Sequence, residues 1–493
     1  MNIKHINLKE LEERIRHIME RCLNYTGLYE EQKDYLLAFL FFKYLGDSHG
    51  LDLGKLKITE DAFYRLDSGI FKTESLYSGE ILDNTLDKLA MEEYDVLVDV
   101  FKKLAYDAQK VFGGVEQGKK TFRMLIEKFQ DIKLDPQHIS SITSGSIYRS
   151  LIENFPVLNN KNEHFAPTPE GLSSLIAKLI EPSDGDKIHD PTAGSGSLLI
   201  RVGEEVKSDQ FTLYAQEKNR NMCTLCKMNI LINGMYPNMR SIECGDTLTN
   251  PLLVKNNKLM KFNVVIAHPP FFIKNWKEEL DDEKIYDRFD KNLSPPASKA
   301  DYAFISHIIS VMDDTDGRAA VIVPNGVLYR EATEGKIRKS LIEKNVVDAV
   351  ILLPSNLMYG TTIPVTLLIL KKDREEGNEQ AGKEEVLFID ASESFVNSRT
   401  RNELSEEHIS TIVNTYKDYS SVDKFAYVAN REEIRNNDYN LNISLYVDTF
   451  EGENIDVDEI TFRREVLEKE ILENQSALDR CLSELKDLIR IKF

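Results

Sequence analysis

Apolar residues recur every three or four positions from Leu8 to about Asn154. Leu8, Leu11, Ile15, Ile18 and Cys22 come first, followed by the dense run LLAFLFFKYL from Leu36 to Leu45. That spacing puts them on one helix face, so the pattern predicts a helical N-terminal domain over residues 1–155. Nothing in it carries chemistry, and packing against the next domain or a partner is its expected role. From about Phe165 the pattern changes to short apolar runs separated by amphipathic segments. Strands are expected at Lys187–Asp190, Phe211–Glu217, Ser241–Cys244, Phe262–Ala267, Arg318–Val323, Val346–Leu353 and Val365–Leu370. Such alternation predicts an α/β domain on a doubly wound, mainly parallel sheet, over residues 156–440. The last link, Pro354 to Pro364, is shorter than the crossover that parallel neighbours need, so the seventh strand is expected to run antiparallel.

A further short strand, VLFID at Val386–Asp390, and a polar helical stretch follow. In residues 441–493, Leu467, Ile471, Leu478, Leu482, Leu485 and Ile489 recur amid charges and predict an amphipathic helical tail for assembly. A coiled coil with a partner and a helix folded back on its own domain both fit that stripe. The 493 residues are 42% hydrophobic with no low-complexity stretch, the composition of a folded chain. No run approaches the ~18 consecutive apolar residues of a membrane span, and the start, MNIKHINLKELEERI, lacks the apolar core of a secretory signal. The expectation is a cytoplasmic protein with no membrane partner. Five scattered cysteines are too few for a disulfide framework, and Cys223-x-x-Cys226 falls in a helical pattern without a second ligand pair, which favours buried small side chains over zinc. The net charge of −20 runs against a protein that grips DNA unaided.

The chemistry concentrates at strand ends. Asp190-Pro191-Thr192-Ala193-Gly194-Ser195-Gly196-Ser197 closes the first strand and opens a helix. Glycines there let the backbone turn sharply and approach a ligand, and the helix N-terminus offers free N–H groups. Glu217 ends the next strand 21 residues after Gly196, near the ~20-residue offset at which an acid meets ribose hydroxyls. The third strand ends in Cys244-Gly245-Asp246, a third acid at the same sheet edge. Any one of these acids could cap a helix; three in succession point to a nucleoside-type cofactor. The fourth strand runs into His268-Pro269-Pro270-Phe271-Phe272, where two prolines make a stiff exit that holds an aromatic ring rigidly. Such a ring can stack on an extruded base or simply fill a core.

Taken in order, Phe165-Ala166-Pro167-Thr168-Pro169, DPTAGSG, AQEKN, GDTL and HPPF resemble the adenine-N6 DNA methyltransferases of the gamma motif order, and above all the modification subunits of type I restriction-modification systems. SKADYAFISHII, GRAAVIVPNGVLY, EGKIRKSLIE, LPSNLMYGTTIPVTLLILKK and NDYNLNISLYV agree, so the resemblance spans about residues 8 to 447. It implies a Rossmann-like, seven-stranded methyltransferase fold that uses S-adenosyl-L-methionine. It also implies that Thr168 and Pro169 touch the methionine part of the cofactor and that Asp190, Thr192, Gly194, Ser195, Gly196 and Ser197 form the cofactor loop. On the same grounds Glu217 holds the ribose, Asp246 faces the cofactor adenine, and Phe271 stacks on the target adenine. The implied partners are a specificity subunit that reads double-stranded DNA, a second copy of this chain, and a restriction or motor subunit.

His268 departs from the family pattern, which has Asn or Asp before Pro-Pro. An Asn carbonyl orients the amine by accepting from it; neutral His has one acceptor nitrogen on a larger ring, and protonated His has none. Weakened turnover with cofactor binding intact is the expectation, and a cofactor-binding scaffold without catalysis is the rival it raises. Cytosine-C5 methylation is disfavoured because no Pro-Cys nucleophile occurs. Restriction by this chain is disfavoured too, since it has neither a P-loop nor a nuclease carboxylate-lysine cluster. The charged segment Ile273–Tyr302, which holds the lone Trp276, reads either as a substrate loop or as a solvated insertion.

Overall fold

A computed structural model describes residues 8–22, 29–47, parts of 120–134, 141–154, most of 167–449, and 457–490. The apolar periodicity of the N-terminal region appears as α1 (Leu8–Cys22), α2 (Tyr29–Asp47) and α3 (Ser141–Asn154). Leu11, Ile15, Ile18 and the Leu36, Leu37, Phe39, Leu40, Phe41 group are buried. The Phe165-Ala166 pair, and the parts of the helical expectation between residues 48 and 119, lie outside the described residues.

The central sheet has nine strands. In chain order they are β1 (Lys187–Asp190), β2 (Thr212–Glu217), β3 (Met239–Cys244), β4 (Val264–Ala267), β5 (Arg318–Pro324), β6 (Val347–Leu352), β7 (Val365–Lys371), β8 (Val386–Asp390) and β9 (Ala426–Ala429). Across the sheet they lie in the order β9-β8-β6-β7-β5-β4-β1-β2-β3. The seven expected strands are all present, and β7 runs antiparallel to both β5 and β6, with Arg318 opposite Lys371 and Pro324 opposite Val365. The count of seven is corrected by two additions at one edge: β8 pairs parallel with β6, and β9 pairs antiparallel with β8. The central strands read as unbroken apolar runs, VVIA in β4 and AAVIV in β5, because helices cover both faces.

On one face, a core including Leu172, Leu175, Ile176, Leu199, Val202, Cys226 and Ile230 comes from α4 (Glu170–Ile180), α5 (Ser197–Glu204) and α6 (Arg220–Ile232), with Ile409 and Ile412 from α9 (Glu406–Asp418). On the other, α7 (Asp301–Val311) and α8 (Ala332–Glu343) supply Ile305, Ile308, Ile337 and Leu341. The N-terminal helices join the first layer: Tyr148 Oη donates to Leu37 O at 3.3 Å, and Arg149 donates to both Glu204 and Asn233. Among the described residues no helix is long and apolar enough to cross a membrane.

One expectation about the cysteines is overturned. Cys223 and Cys244 are disulfide-bonded with Cα atoms 5.9 Å apart, while Cys226 is free and buried. The cause is topological. Cys244 pairs in register with Glu217, and α6 begins three residues after Glu217, so its first turn lies over the end of β3. Both Cys223 and Cys226 are buried as expected, but of the two only Cys226 is a free thiol.

Residues 1–447 pack as one unit and residues 448–493 as another. Within the second, α10 (Val457–Arg490) has 34 residues, about 50 Å of helix. Phe462, Val466, Leu467, Ile471, Leu472, Leu478 and Leu482 on it are exposed.

Candidate active site

The residues expected to form the cofactor loop leave the C-terminal end of β1. Asp190 is 2% exposed, and its Oδ1 accepts from Thr192 N at 2.9 Å. Burial pushes its carboxyl up to about 7, with the Thr192 amide opposing and the charge of Glu217 adding to the rise. Among the described residues no cationic side chain pairs with it. Gly194 and Gly196 both have positive φ, +53° and +76°, the region that glycine enters without strain. A Cβ on Gly194 would meet nothing within 4 Å, so the backbone there faces open space. A Cβ on Gly196 would stand 2.6 Å from Cys226 Sγ, so α5 and α6 pack through that hydrogen.

Glu217, at the end of β2, spans the loop: Oε2 accepts from Gly194 N at 2.8 Å and Oε1 from Asn219 N at 2.7 Å. Burial raises its carboxyl while these amides oppose the rise. A carboxylate offers about four lone-pair sites, more than these amides use, which suits a diol. Asp246 lies beyond β3 with Oδ1 on Leu248 N at 2.8 Å and Oδ2 on Lys218 Nζ at 2.7 Å. The lysine is largely exposed, so the pair is weak and leaves the carboxylate available.

The second group of residues comes off β4, the neighbour of β1. His268 Nδ1 lies 2.9 Å from Thr168 Oγ1, a contact across 100 residues. Burial pushes the imidazole down to about 4, so it is neutral at physiological pH. Its ring centroid is 5.6 Å from that of Phe271. Pro169 caps α4 without a side-chain bond and is buried, as is the rigid Pro269; Pro270 is half-buried. Phe271 packs partly against the core, whereas Phe272 is 44% exposed with φ +58°. The structure therefore brings the predicted residues together as two sets at adjacent strand ends, Asp190 to Ser197 with Glu217 and Asp246, and Thr168 with His268 to Phe271.

Several site-building residues escaped the sequence reading. Asn229 on α6, fully buried, donates to Ser195 O at 3.0 Å, and Asn233 Nδ2 donates to Asn229 Oδ1 at 3.0 Å. Ser195 and Ser197 hydroxyls lie 3.1 Å apart beside them. Thr247 Oγ1 donates to Pro191 O at 2.6 Å. Asp301, first residue of α7, accepts from Phe272 N at 3.2 Å and pairs with Arg330, which also pairs with Glu334. That clamp holds the left-handed turn after Phe271. The signal available in sequence was a buried-type polar residue at a helical apolar position, as in Asn229.

The described part of Ile273–Tyr302 is no solvated insertion. Trp276 and Phe289 are buried in a small cluster with Leu248, Ala300, Ala303 and Phe304, and Trp276 Nε1 donates to Pro296 O at 2.9 Å. Arg288 donates to the carbonyls of Thr247 and Leu248 at 2.9 and 2.7 Å, tying the segment to the turn after β3.

Gly196→Ala is expected to lose about 1–3 kcal/mol from backbone strain and overlap with Cys226, read as a lowered melting temperature. Adding Cys226→Ala should recover the overlap part. A double variant no more stable than Gly196→Ala would show that the helix approach is not what requires glycine.

Comparison with known proteins agrees with this geometry. The family described as N-6 DNA Methylase matches residues 141–454. The chain is 30% identical over 502 aligned positions to the type I restriction enzyme MjaVIII methylase subunit of Methanocaldococcus jannaschii, covering 94% of this chain and 84% of that one. It is 33% identical over 383 positions to the type I restriction enzyme MpnII methylase subunit of Mycoplasma pneumoniae, covering 75% and 68%. Among solved structures, the type I restriction-modification system methyltransferase subunit from Streptococcus thermophilus superposes with a TM-score of 0.73 at 26% identity, covering 90% of this chain and all of that one. The chain belongs to the N-6 DNA methylase family, and within it to the methylase subunits of type I restriction enzymes.

Proposed function

We propose that this chain transfers a methyl group from S-adenosyl-L-methionine to N6 of an adenine flipped out of double-stranded DNA, as the modification subunit of a type I complex. The observation that carries the reading is the pair of sets at neighbouring strand ends: a glycine loop with buried acids on β1, and the His268–Phe271 turn on β4. The cradle fits the cofactor. Open space in front of Gly194 admits it, the Glu217 carboxylate has lone pairs to spare for a ribose, and the buried Asp190 carboxyl, with no cation paired to it among the described residues, suits a positively charged group. When bound, the cofactor supplies an electrophilic methyl carbon.

The chain's own residues do the rest. The flipped adenine lies against the Phe271 ring. His268 Nε2 accepts a hydrogen bond from the adenine amino group, which turns the nitrogen lone pair toward the methyl carbon and stabilises charge growing on N6. Asp301 and Arg330 fix the backbone that carries the ring. The acidic charge of −20 supports a partner that supplies the phosphate contacts. A specificity subunit, a second copy of this chain and, for cleavage, a restriction or motor subunit fill those roles, with residues 1–155 and 441–493 flanking the methyltransferase domain as assembly segments.

The test is methyl transfer from labelled S-adenosyl-L-methionine to unmethylated DNA by this chain copurified with its specificity subunit, beside His268→Asn. Both forms are expected to label adenine N6, the Asn form about tenfold faster, equivalent to about 1.4 kcal/mol of better charge stabilisation. No transfer by either form, with cofactor and DNA both bound, would leave a scaffold and overturn the catalytic reading.

A further inference from the structure

His268 has one proton to place on two nitrogens. Neutral imidazole carries a single N–H, so whichever nitrogen donates, the other accepts. Nδ1 is committed to Thr168 Oγ1 at 2.9 Å. Among the described residues neither side chain has another hydrogen-bond partner, and Thr168 is 8% exposed. A hydroxyl also has one proton. If Thr168 donates to Nδ1, the proton of His268 must sit on Nε2, and the ring presents a donor to the substrate. An adenine amino group facing that donor has nothing to give its hydrogen to. If instead Nδ1–H donates to Thr168, Nε2 is a bare acceptor, and the threonine proton is left to seek an acceptor elsewhere.

We propose that Thr168 is a positioning residue that sets the tautomer of His268, and that an anionic carboxylate of the bound cofactor decides the setting by accepting the Thr168 hydroxyl proton. The inference rests on the functional reading above, with Thr168 facing the methionine part of the cofactor as the family resemblance implies. Without the cofactor, Thr168 donates to Nδ1 and His268 is the wrong way round for adenine. With the cofactor seated, its carboxylate accepts from Thr168 Oγ1–H, Thr168 Oγ1 accepts from His268 Nδ1–H, and Nε2 is left as a free acceptor. The Nε2–H bond breaks as its proton passes to solvent, an Nδ1–H bond forms with a proton taken from solvent, and no net proton is gained or lost. Burial that keeps the imidazole neutral is what lets a tautomer matter, because an imidazolium would donate from both nitrogens. Cofactor occupancy thereby prepares the substrate side of the pocket, a coupling that Asn or Asp at this position does not need. His268 makes it necessary in this chain.

The experiment is nitrogen NMR of the full chain with 15N-labelled histidine, the His268 signals being assigned by their loss in His268→Asn. It is read with and without sinefungin, a cofactor analogue that keeps the amino acid moiety and has no methyl to transfer, and calorimetry follows binding in parallel. The expected result is that Nε2 is protonated in the free chain and Nδ1 is protonated in the complex. In Thr168→Val the change disappears, and in Thr168→Ser it returns. In the assembled complex Thr168→Val should lose about tenfold in kcat, and Thr168→Ser should restore most of it. Analogue binding with an unchanged His268 tautomer overturns the proposal while leaving the functional reading intact. So does a Thr168→Val chain whose tautomer still follows the ligand. Absence of analogue and cofactor binding in the calorimeter would overturn the functional reading itself.

Discussion

Asp190→Asn is expected to raise the melting temperature of the cofactor-free chain at pH 8, by about 5 °C or more, while weakening cofactor binding by at least about tenfold. The carboxyl is buried with no cation paired to it among the described residues, and its value is pushed from 3.8 to about 7. A folded-state value above the unfolded one means that the stability contributed by this group is complete below about pH 4. It is lost as pH rises through about 7. Fully expressed, the shift corresponds to roughly 4 kcal/mol. Asn keeps an Oδ1 to accept from Thr192 N and carries no charge, so it removes the cost and leaves the turn intact. The carboxylate is kept, on this account, because a positively charged ligand group offsets its burial when bound. Thermal melts at pH 5 and pH 8 with calorimetry at pH 8 decide the matter. The gap between the two chains should be small at pH 5 and more than twice as large at pH 8. An Asn variant that is less stable at both would mean that the buried acid holds the fold together and that its ligand role is misassigned.

The acids were legible because Asp190, Glu217 and Asp246 each fall at or just past the end of a short strand, and a parallel sheet puts those ends at one edge. The reversed β7 was legible from the length of a single link. What was hidden depended on side chains meeting across long separations. The Thr168 and His268 contact spans 100 residues, and nothing local to either one announces it. The clamp on Phe272 by Asp301 follows from a positive φ that a phenylalanine gives no reason to expect. The edge strand Ala426–Ala429 has four residues and too little alternation to separate from a loop, and it exists because β8 offers it a ladder. The Cys223–Cys244 bond required knowing that α6 turns back over β3. Distance in sequence, rather than weakness of any one signal, set the limit.

At the opposite edge of the same sheet a second buried acid has the contrary fate, and Asp348→Ala is expected to cost about 3–5 kcal/mol, lowering the melting temperature by roughly 10 °C. Asp348 sits near the start of β6, where Asp190 sits at the end of β1. Burial alone would push its carboxyl up, but Lys371, Arg374 and a hydrogen bond from Tyr416 Oη at 2.6 Å outweigh it and the value falls below the usual carboxylate range. Arg374, fully buried, donates to Asp348 and to the carbonyls of Lys383 and Glu385, so it ties β6 to the approach of β8. Alanine would leave that guanidinium and the Lys371 ammonium without their carboxylate. A depressed folded-state value contributes stability above about pH 4 that is lost as pH falls through it, the reverse of Asp190. The difference between wild type and Asp348→Ala should therefore be full at pH 7 and shrink in acid, while cofactor affinity measured well below the melting temperature stays within about twofold. A variant that melts normally would show that the charge cluster is ornamental, and one that stays folded but loses the cofactor would show that the two edges are coupled. If both expectations hold, the sign of the pH dependence alone separates the acid kept for structure from the acid kept for a ligand.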